Sequence, residues 1–331
     1  MTTKTHTDPA HAPAEAKPRF DVSVAIACYN AVEYLEAAVT SALAQNGVSL
    51  EVLIVDDHST DGSFALAHDL ASLDSRIRVM QTPENGGPAA ARNVALVEMR
   101  GDWFAVLDSD DLFEPGRLRR LLDVAERTDA DFVADDLRVF GEDVDTHAMV
   151  GDHAPLADGW ISLETYLDRS RMFAETVALG YLKPVIRASV IREMGLRYNT
   201  EMRIGEDDDL ILQLLSANKR YRFVPEPLYR YRKHDASISH RLSVDHAQRM
   251  LTAEADIRAR IGPDIARSQP YRRRWAAMVR GLAFVRSVDM VKRRRFGAAL
   301  ATLLRHPSAI LLYKMPIEAA LKRRLGRQSN A

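Results

Sequence analysis

Cysteine is almost missing: of 331 residues, only Cys28 carries a thiol. That excludes a disulfide framework and fits a reducing compartment. The opening stretch, Met1 to about Lys17, lacks an apolar core. Rich in Thr, His, Ala and Pro, it reads as a disordered segment (1–18) and not as a signal peptide. No internal repeat is visible. A long unbroken hydrophobic run is also absent. Phe296 to Pro316 is apolar and about the length of a bilayer crossing, but Arg305, His306 and Pro307 interrupt its centre, which argues against a span. The turn after the first predicted strand, CYNAVEYL (28–35), holds neither glycine nor lysine, so it is no glycine-rich basic phosphate loop. Finally, the arginines of the tail lack interleaved aromatic platforms, which argues against nucleic acid as a partner.

What is present suffices for a sizeable core. A hydrophobic content of 47% over this length fits one large domain with an appendage. The net charge of −1 hides an asymmetry. From Tyr271 onward the chain has 15 Lys/Arg against 2 Asp/Glu, which leaves 30 basic and 44 acidic residues before it. A basic tail on an acidic body suggests two tasks, one at an anionic surface.

Short apolar, β-branched runs recur through the first half: VSVAIA (22–27), EVLIV (51–55), RIRVM (76–80), WFAVL (103–107) and DFVAD (131–135). Helical patterns lie between them. Val32, Leu35, Val39, Ala42 and Leu43 share a face, with Gly47 as a stop signal. Asp61 is placed to cap a helix through Phe64, Leu66 and Leu70. Further helices are predicted from Pro88 to Met99 and through Leu118, Leu121, Leu122 and Ala125. The alternation predicts an α/β fold, a mostly parallel sheet covered by helices. Between about Gly141 and Arg203 it breaks down, with helices expected only at Leu163–Arg169 and Ala188–Met194. GEDDDLILQLLSANK (205–219) reads as an acidic helix start, FVPEPLYRYRKHDASISH (223–240) as a strand and polar loop. After Val244 the pattern is helical.

Ligands of such sheets sit at the carboxyl ends of strands. Asp108, Asp110 and Asp111 end one strand, and three carboxylates there repel one another unless a hard cation sits among them. Asp56 and Asp57 end another, where an aspartate can accept from the N–H of a pyrimidine base. Gly86 and Gly87 in ENGGPAAARN (84–93) permit unusual backbone angles, and Arg92 can reach back to a phosphate or base. Glu206, Asp207, Asp208 and Asp209 exceed what helix capping needs, and one of them can serve as general base. Each string alone has a plainer reading: a turn capped by Asn30, a turn with a cap, a surface arginine, a helix start.

Together, VSVAIACYN, EVLIVDDHSTDG, NGGPAAARN, DSDD, GEDDDL and YRYRKHDASIS resemble family 2 glycosyltransferases of the GT-A fold, in the family's order over about Val22 to His240. Within the family the chain is similar to bacterial exopolysaccharide enzymes that build lipid-linked repeat units, such as those of succinoglycan assembly. The resemblance implies a GT-A domain over 19–243 with a Rossmann-like sheet, and a basic helical extension over 244–331. It implies that Tyr29 and Glu33 flank the uracil and ribose, Asp57 reads the base, and Arg92, Asp108 and Ser109 contact the donor. Asp110, with Asp108 and His234, would hold Mg²⁺ or Mn²⁺. Asp207 would be the catalytic base, with Glu206 and Asp208 as alternatives. Ala27 and Cys28 stand where many members carry Pro, Thr or Ser, and His58 replaces a common glycine. The Q-x-x-R-W motif of processive synthases is missing, which implies single additions.

The expected activity is inverting transfer of one sugar from a UDP-sugar, UDP-glucose or a related hexose, to a saccharide acceptor, polyprenyl-linked. The expected location is cytoplasmic, with the basic tail attached peripherally to the anionic inner face of the membrane. A pair of amphipathic helices packed on the catalytic domain is the other reading of that tail. A nucleotidyltransferase making sugar nucleotides and a non-catalytic nucleotide-sugar-binding scaffold are the rival functions.

Overall fold

The computed structural model describes residues 19–142, 144–151, 158–174, 179–234 and 242–314. The expected disordered segment, most of the polar loop 233–240 and the last basic cluster, Lys322 to Arg327, lie outside the described residues.

Six longer strands run in one direction: β1 (Phe20–Cys28), β2 (Leu50–Asp56), β3 (Ile77–Gln81), β4 (Gly101–Val106), β6 (Phe132–Phe140) and β10 (Tyr221–Arg232). Four short ones pair antiparallel: β5 (Leu112–Phe113), β7 (His147–Ala148), β8 (Trp160–Ile161) and β9 (Val185–Arg187). They form one sheet in the order β3-β2-β1-β4-β9-β6-β10-β5, with β7 beside β6 and β8 beside β10. All seven residues of β2 are buried, as a strand covered on both faces requires. The chain moves outward from β1 through β2 to β3, then returns to place β4 on the other side of β1. That reversal opens a crevice beyond the ends of β1 and β4, where such sheets bind ligands.

The helices are α1 (Leu35–Leu43), α2 (Ser63–Leu73), α3 (Pro88–Glu98), α4 (Arg117–Thr128), α5 (Leu163–Arg169), α6 (Ala188–Met194), α7 (Glu206–Ser216), α8 (Val244–Arg267), α9 (Gln269–Lys292) and α10 (Phe296–Arg305), followed by a 3₁₀ turn over Pro307–Tyr313. α4 buries the expected Leu118, Leu121, Leu122 and Ala125. Two details differ from the sequence pattern. Val32 precedes α1 and is exposed. Gly62, not Asp61, occupies the cap position of α2; Asp61 instead accepts from the N–H of Ser63 at 2.8 Å and of Val32 at 3.3 Å.

Two buried ion pairs tie the layers together. Arg117 and Asp135, both fully buried, pair at 2.6 Å, and Arg117 also donates to the Lys183 carbonyl at 2.7 Å. On α9, Arg274 bonds Asp208 of α7 at 2.6 Å and Glu254 of α8 at 3.1 Å. The start of the basic tail is therefore packed on the sheet domain. α10 buries Ala299 but leaves Phe296, Leu300 and Leu304 exposed.

Candidate active site

The crevice is lined by the turns that leave β1, β2 and β4. After β1, Asn30 takes a left-handed conformation (φ 50°) and its side chain accepts from the N–H groups of Thr60 (2.8 Å) and Asp61 (3.3 Å). It thus ties the β1 turn to the β2 turn rather than capping a helix. Tyr29 and Glu33 stand exposed on this turn.

Asp57 behaves otherwise than a free base-reading carboxylate. It accepts from Gly86 N–H at 3.0 Å, Gly87 N–H at 2.7 Å and Thr82 Oγ1 at 2.9 Å. These bonds clamp the glycine loop, and of about four lone-pair positions on a carboxylate one is left over. Gly87, at φ +84°, adopts the left-handed backbone that lets the loop turn into α3.

The three aspartates after β4 turn to different partners. Asp108 is bonded through Oδ1 to Arg92 at 2.6 Å and through Oδ2 to Lys183 at 2.8 Å. Burial opposes its charge, but Lys183 and Arg92 outweigh that and hold its pKa well below the usual carboxylate range. Each oxygen of Asp108, the expected second metal ligand, thus already faces one cation. Asp110 approaches His234 Nε2 at 2.8 Å. Asp111 turns inward, accepting from Tyr229 Oη at 2.8 Å and Arg232 N–H at 2.6 Å. Burial, then the neighbouring Asp110 and Asp108, push its pKa well up. Ser109 is half-buried on the same turn.

From the far side α7 presents its acids, and 100° per residue separates their tasks. Glu206 and Asp207 face the crevice, where Arg92 Nη1 donates to Glu206 at 2.8 Å and to Asp207 at 2.9 Å. Asp208 leaves the crevice for Tyr166 Oη at 2.9 Å and Arg274, so it is badly placed to be the alternative base. Asp209 pairs with Arg260 at 2.9 Å. Burial and the adjacent Asp207 raise the pKa of Glu206, leaving Asp207 the better-exposed carboxylate of the pair. Arg92 itself is 3% exposed. Its two terminal nitrogens bond three carboxylates, and its Nε has no partner among the described residues. Burial works against its charge, yet Asp207, Asp108 and Glu206 raise its pKa well above normal.

One ion-pair cluster therefore joins Asp108 and Asp207 through their shared cations, while Asp110, two residues on from Asp108, pairs with His234, whose ring lies 5.2 Å from that of Tyr34. Residues 23–192 match the sequence profile of Glycosyl transferase family 2. The chain belongs to that family. The transferase is 33% identical over 307 residues to the succinoglycan biosynthesis protein ExoO of Rhizobium meliloti, covering 93% of this chain and 88% of that one. It is also 33% identical to ExoU of the same organism, over 88% and 84% of the two chains. Among solved structures, S. aureus TarS in complex with UDP-GlcNAc aligns with a TM-score of 0.58 at 17% identity, over 80% of this chain and 81% of that one. Mannosyltransferase PcManGT from Pyrobaculum calidifontis, in complex with GDP-Man and Mn²⁺, aligns with a TM-score of 0.58 at 16% identity, over 92% and 81%. These likenesses show that the transferase has the GT-A fold.

Sequence reasoning missed Lys183, Tyr229 and Arg232. The last two sit in the expected β10, and only the alternation of a strand signals that Tyr229 points inward. Lys183 lies where the strand–helix alternation fails, and nothing in its neighbourhood marks it.

Proposed function

We propose that this chain transfers a single sugar from a UDP-sugar, UDP-glucose or a related hexose, to a saccharide acceptor with inversion at the anomeric carbon. The reading rests above all on one observation. Arg92, from α3, bonds both Asp108 of the donor-side turn and Asp207 of α7, so the carboxylate fit to be a base faces the strand end fit to hold a nucleotide. Asp207 takes the proton of the acceptor hydroxyl, the acceptor oxygen bonds the anomeric carbon from the face opposite the diphosphate, and the bond to UDP breaks. Tyr29 and Glu33 are exposed where a base and ribose would lie, and the remaining lone pair of Asp57 is available to a base N–H. Relatives named for succinoglycan biosynthesis support a role in making an exopolysaccharide; a polyprenyl-linked acceptor is part of the same proposal.

A divalent cation fits Asp110 and His234. One carboxylate and one imidazole lie 2.8 Å apart at the rim, and no group of three or more such ligands occurs among the described residues. Asp110, with His234 beside it, would hold Mg²⁺ or Mn²⁺ together with the donor. When bound, the ion supplies charge neutralisation to the leaving diphosphate.

Attachment of the tail to an anionic membrane suits a lipid-linked acceptor. Phe296, Leu300 and Leu304 recur every fourth residue along one side of α10 and are 63%, 59% and 73% exposed, directly after the basic run Lys292 to Arg295. Such a face lies in the headgroup region of a bilayer. No described helix is long and apolar enough to cross one.

The test is release of UDP from a panel of UDP-sugars, with Mn²⁺ and a polyprenyl-linked saccharide. Consumption of one UDP-sugar dependent on the acceptor is expected. Release of pyrophosphate from UTP and a sugar phosphate would replace this reading with the nucleotidyltransferase; UDP-sugar binding without turnover would replace it with the scaffold. Sedimentation with phosphatidylglycerol vesicles, lost in F296S/L300S/L304S, tests the tail.

A further inference from the structure

Asp108 and Asp207 are joined twice. Arg92 donates to one oxygen of each carboxylate, Nη2 to Asp108 Oδ1 at 2.6 Å and Nη1 to Asp207 Oδ1 at 2.9 Å. Lys183 Nζ takes the other oxygen of each, Asp207 Oδ2 at 2.6 Å and Asp108 Oδ2 at 2.8 Å. Two cations and two carboxylates thus close a ring drawn from four parts of the chain: α3, the end of β4, the start of α7 and the approach to β9. We propose that Lys183 is a positioning residue for sugar transfer, holding the base Asp207 at a fixed place relative to the donor-side turn. This inference rests on the function proposed above.

The fold fixes Lys183 for the task. β9 lies antiparallel between β4 and β6, pairing Val185 with Ala105. Continuing that register two residues brings Lys183 level with Leu107, beside Asp108. Its carbonyl accepts from Arg117, which is fully buried and anchored by Asp135, so the backbone that carries the ammonium is held from below. The side chain is 9% exposed. A lysine suits the gap because its compact charge presents three rotatable donors, whereas the planar fork of Arg92 already fills the opposite edge.

The charge balance shows what removal would do. Glu206, Asp207 and Asp108 share Arg92 and Lys183. Without Lys183 one guanidinium faces three carboxylates, and Asp207 loses the bond that holds its second oxygen. Like charges then separate the base from the reacting centre.

The experiment measures sugar transfer and UDP affinity in K183M, K183R and the full wild-type chain, using the UDP-sugar that the wild type consumes. A displacement of about 1 Å in a catalytic group costs about 10²-fold in rate, so kcat of K183M should fall by about that factor. UDP affinity should stay at the wild-type value, and K183R should regain part of kcat. A merely structural lysine would lower the melting temperature and leave kcat and the donor KM of the folded enzyme unchanged. K183M with wild-type kcat, or with UDP affinity lost in step with kcat, overturns the inference alone. A wild-type chain that transfers from no donor overturns it together with the proposed function. Should K183M not fold, K183Q keeps amide donors in the gap and is read by the same criteria.

Discussion

The guanidinium of Arg92 lies 2.9 Å from the carboxylate of Asp207, across 115 residues of sequence. The guanidinium is buried and the Asp207 carboxylate half-buried, and Arg92 is shared with Asp108 and the buried Glu206. Removing one partner of a buried pair leaves uncompensated charge and costs about 3–5 kcal/mol. Arg92→Met should therefore lower the stability measured by urea unfolding by about that amount. Arg92→Lys should also lose transfer, since a point charge cannot reproduce the fork that serves three carboxylates. Wild-type stability in Arg92→Met would show that the cluster contributes nothing to the fold.

Asp207→Asn should lower kcat by about 10²–10⁴-fold, the usual loss when a general base is removed, with UDP affinity retained. Asp208→Asn should keep transfer near the wild-type rate, because Asp208 bonds Tyr166 and Arg274 away from the cleft. Steady-state kinetics of the two variants reverse the assignment if the losses are exchanged.

Arg274→Ala should destabilise the chain by about 3–5 kcal/mol, because Glu254 would remain fully buried without its cation. Calorimetry of the variant measures this. The same bonds mean that truncation after Pro270 damages the sheet domain, so membrane attachment is better read from substitutions on α10.

Burial, the largest influence, pushes the Cys28 thiol up to about 12, although a hydrogen bond with Ser63 opposes it. The nucleophile is the thiolate. At pH 8 the native chain should resist iodoacetamide and react promptly once unfolded in guanidinium. Mass spectrometry of the labelled chain decides the matter; rapid native labelling would mean the β1 turn opens readily.

Chelation should weaken UDP-sugar binding, with Mn²⁺ or Mg²⁺ restoring it, and His234→Ala should raise the Mn²⁺ concentration needed. Titration calorimetry with and without the ion tests both. Ion-independent binding would leave Asp110 and His234 without the assigned task.

Much of the site was legible before any coordinates. The ends of β1, β2 and β4 follow from where β-branched runs give way to Tyr29, Asp57 and Asp108. α5 and α6 have the bounds their patterns predict. What failed was the allocation of charge. Asp57, Arg92 and Asp108 look free in a sequence because their partners, Gly86 and Gly87, Glu206 and Lys183, lie elsewhere in the chain. The three aspartates of one turn each have their own neighbour, Lys183 and Arg92, His234, or Tyr229 and Arg232.

The sequence by itself determined the strand–helix alternation, the membership of the acidic set and the basic character of the tail, because burial imposes local periodicity and composition is local too. Only the tertiary structure decided that three residues, Val185 to Arg187, slip between β4 and β6, that Lys183 meets Asp108 and Asp207, and that four consecutive acids divide among separate tasks. Ion pairing depends on distance in space, and no period along a chain encodes a contact between residues 108 and 183.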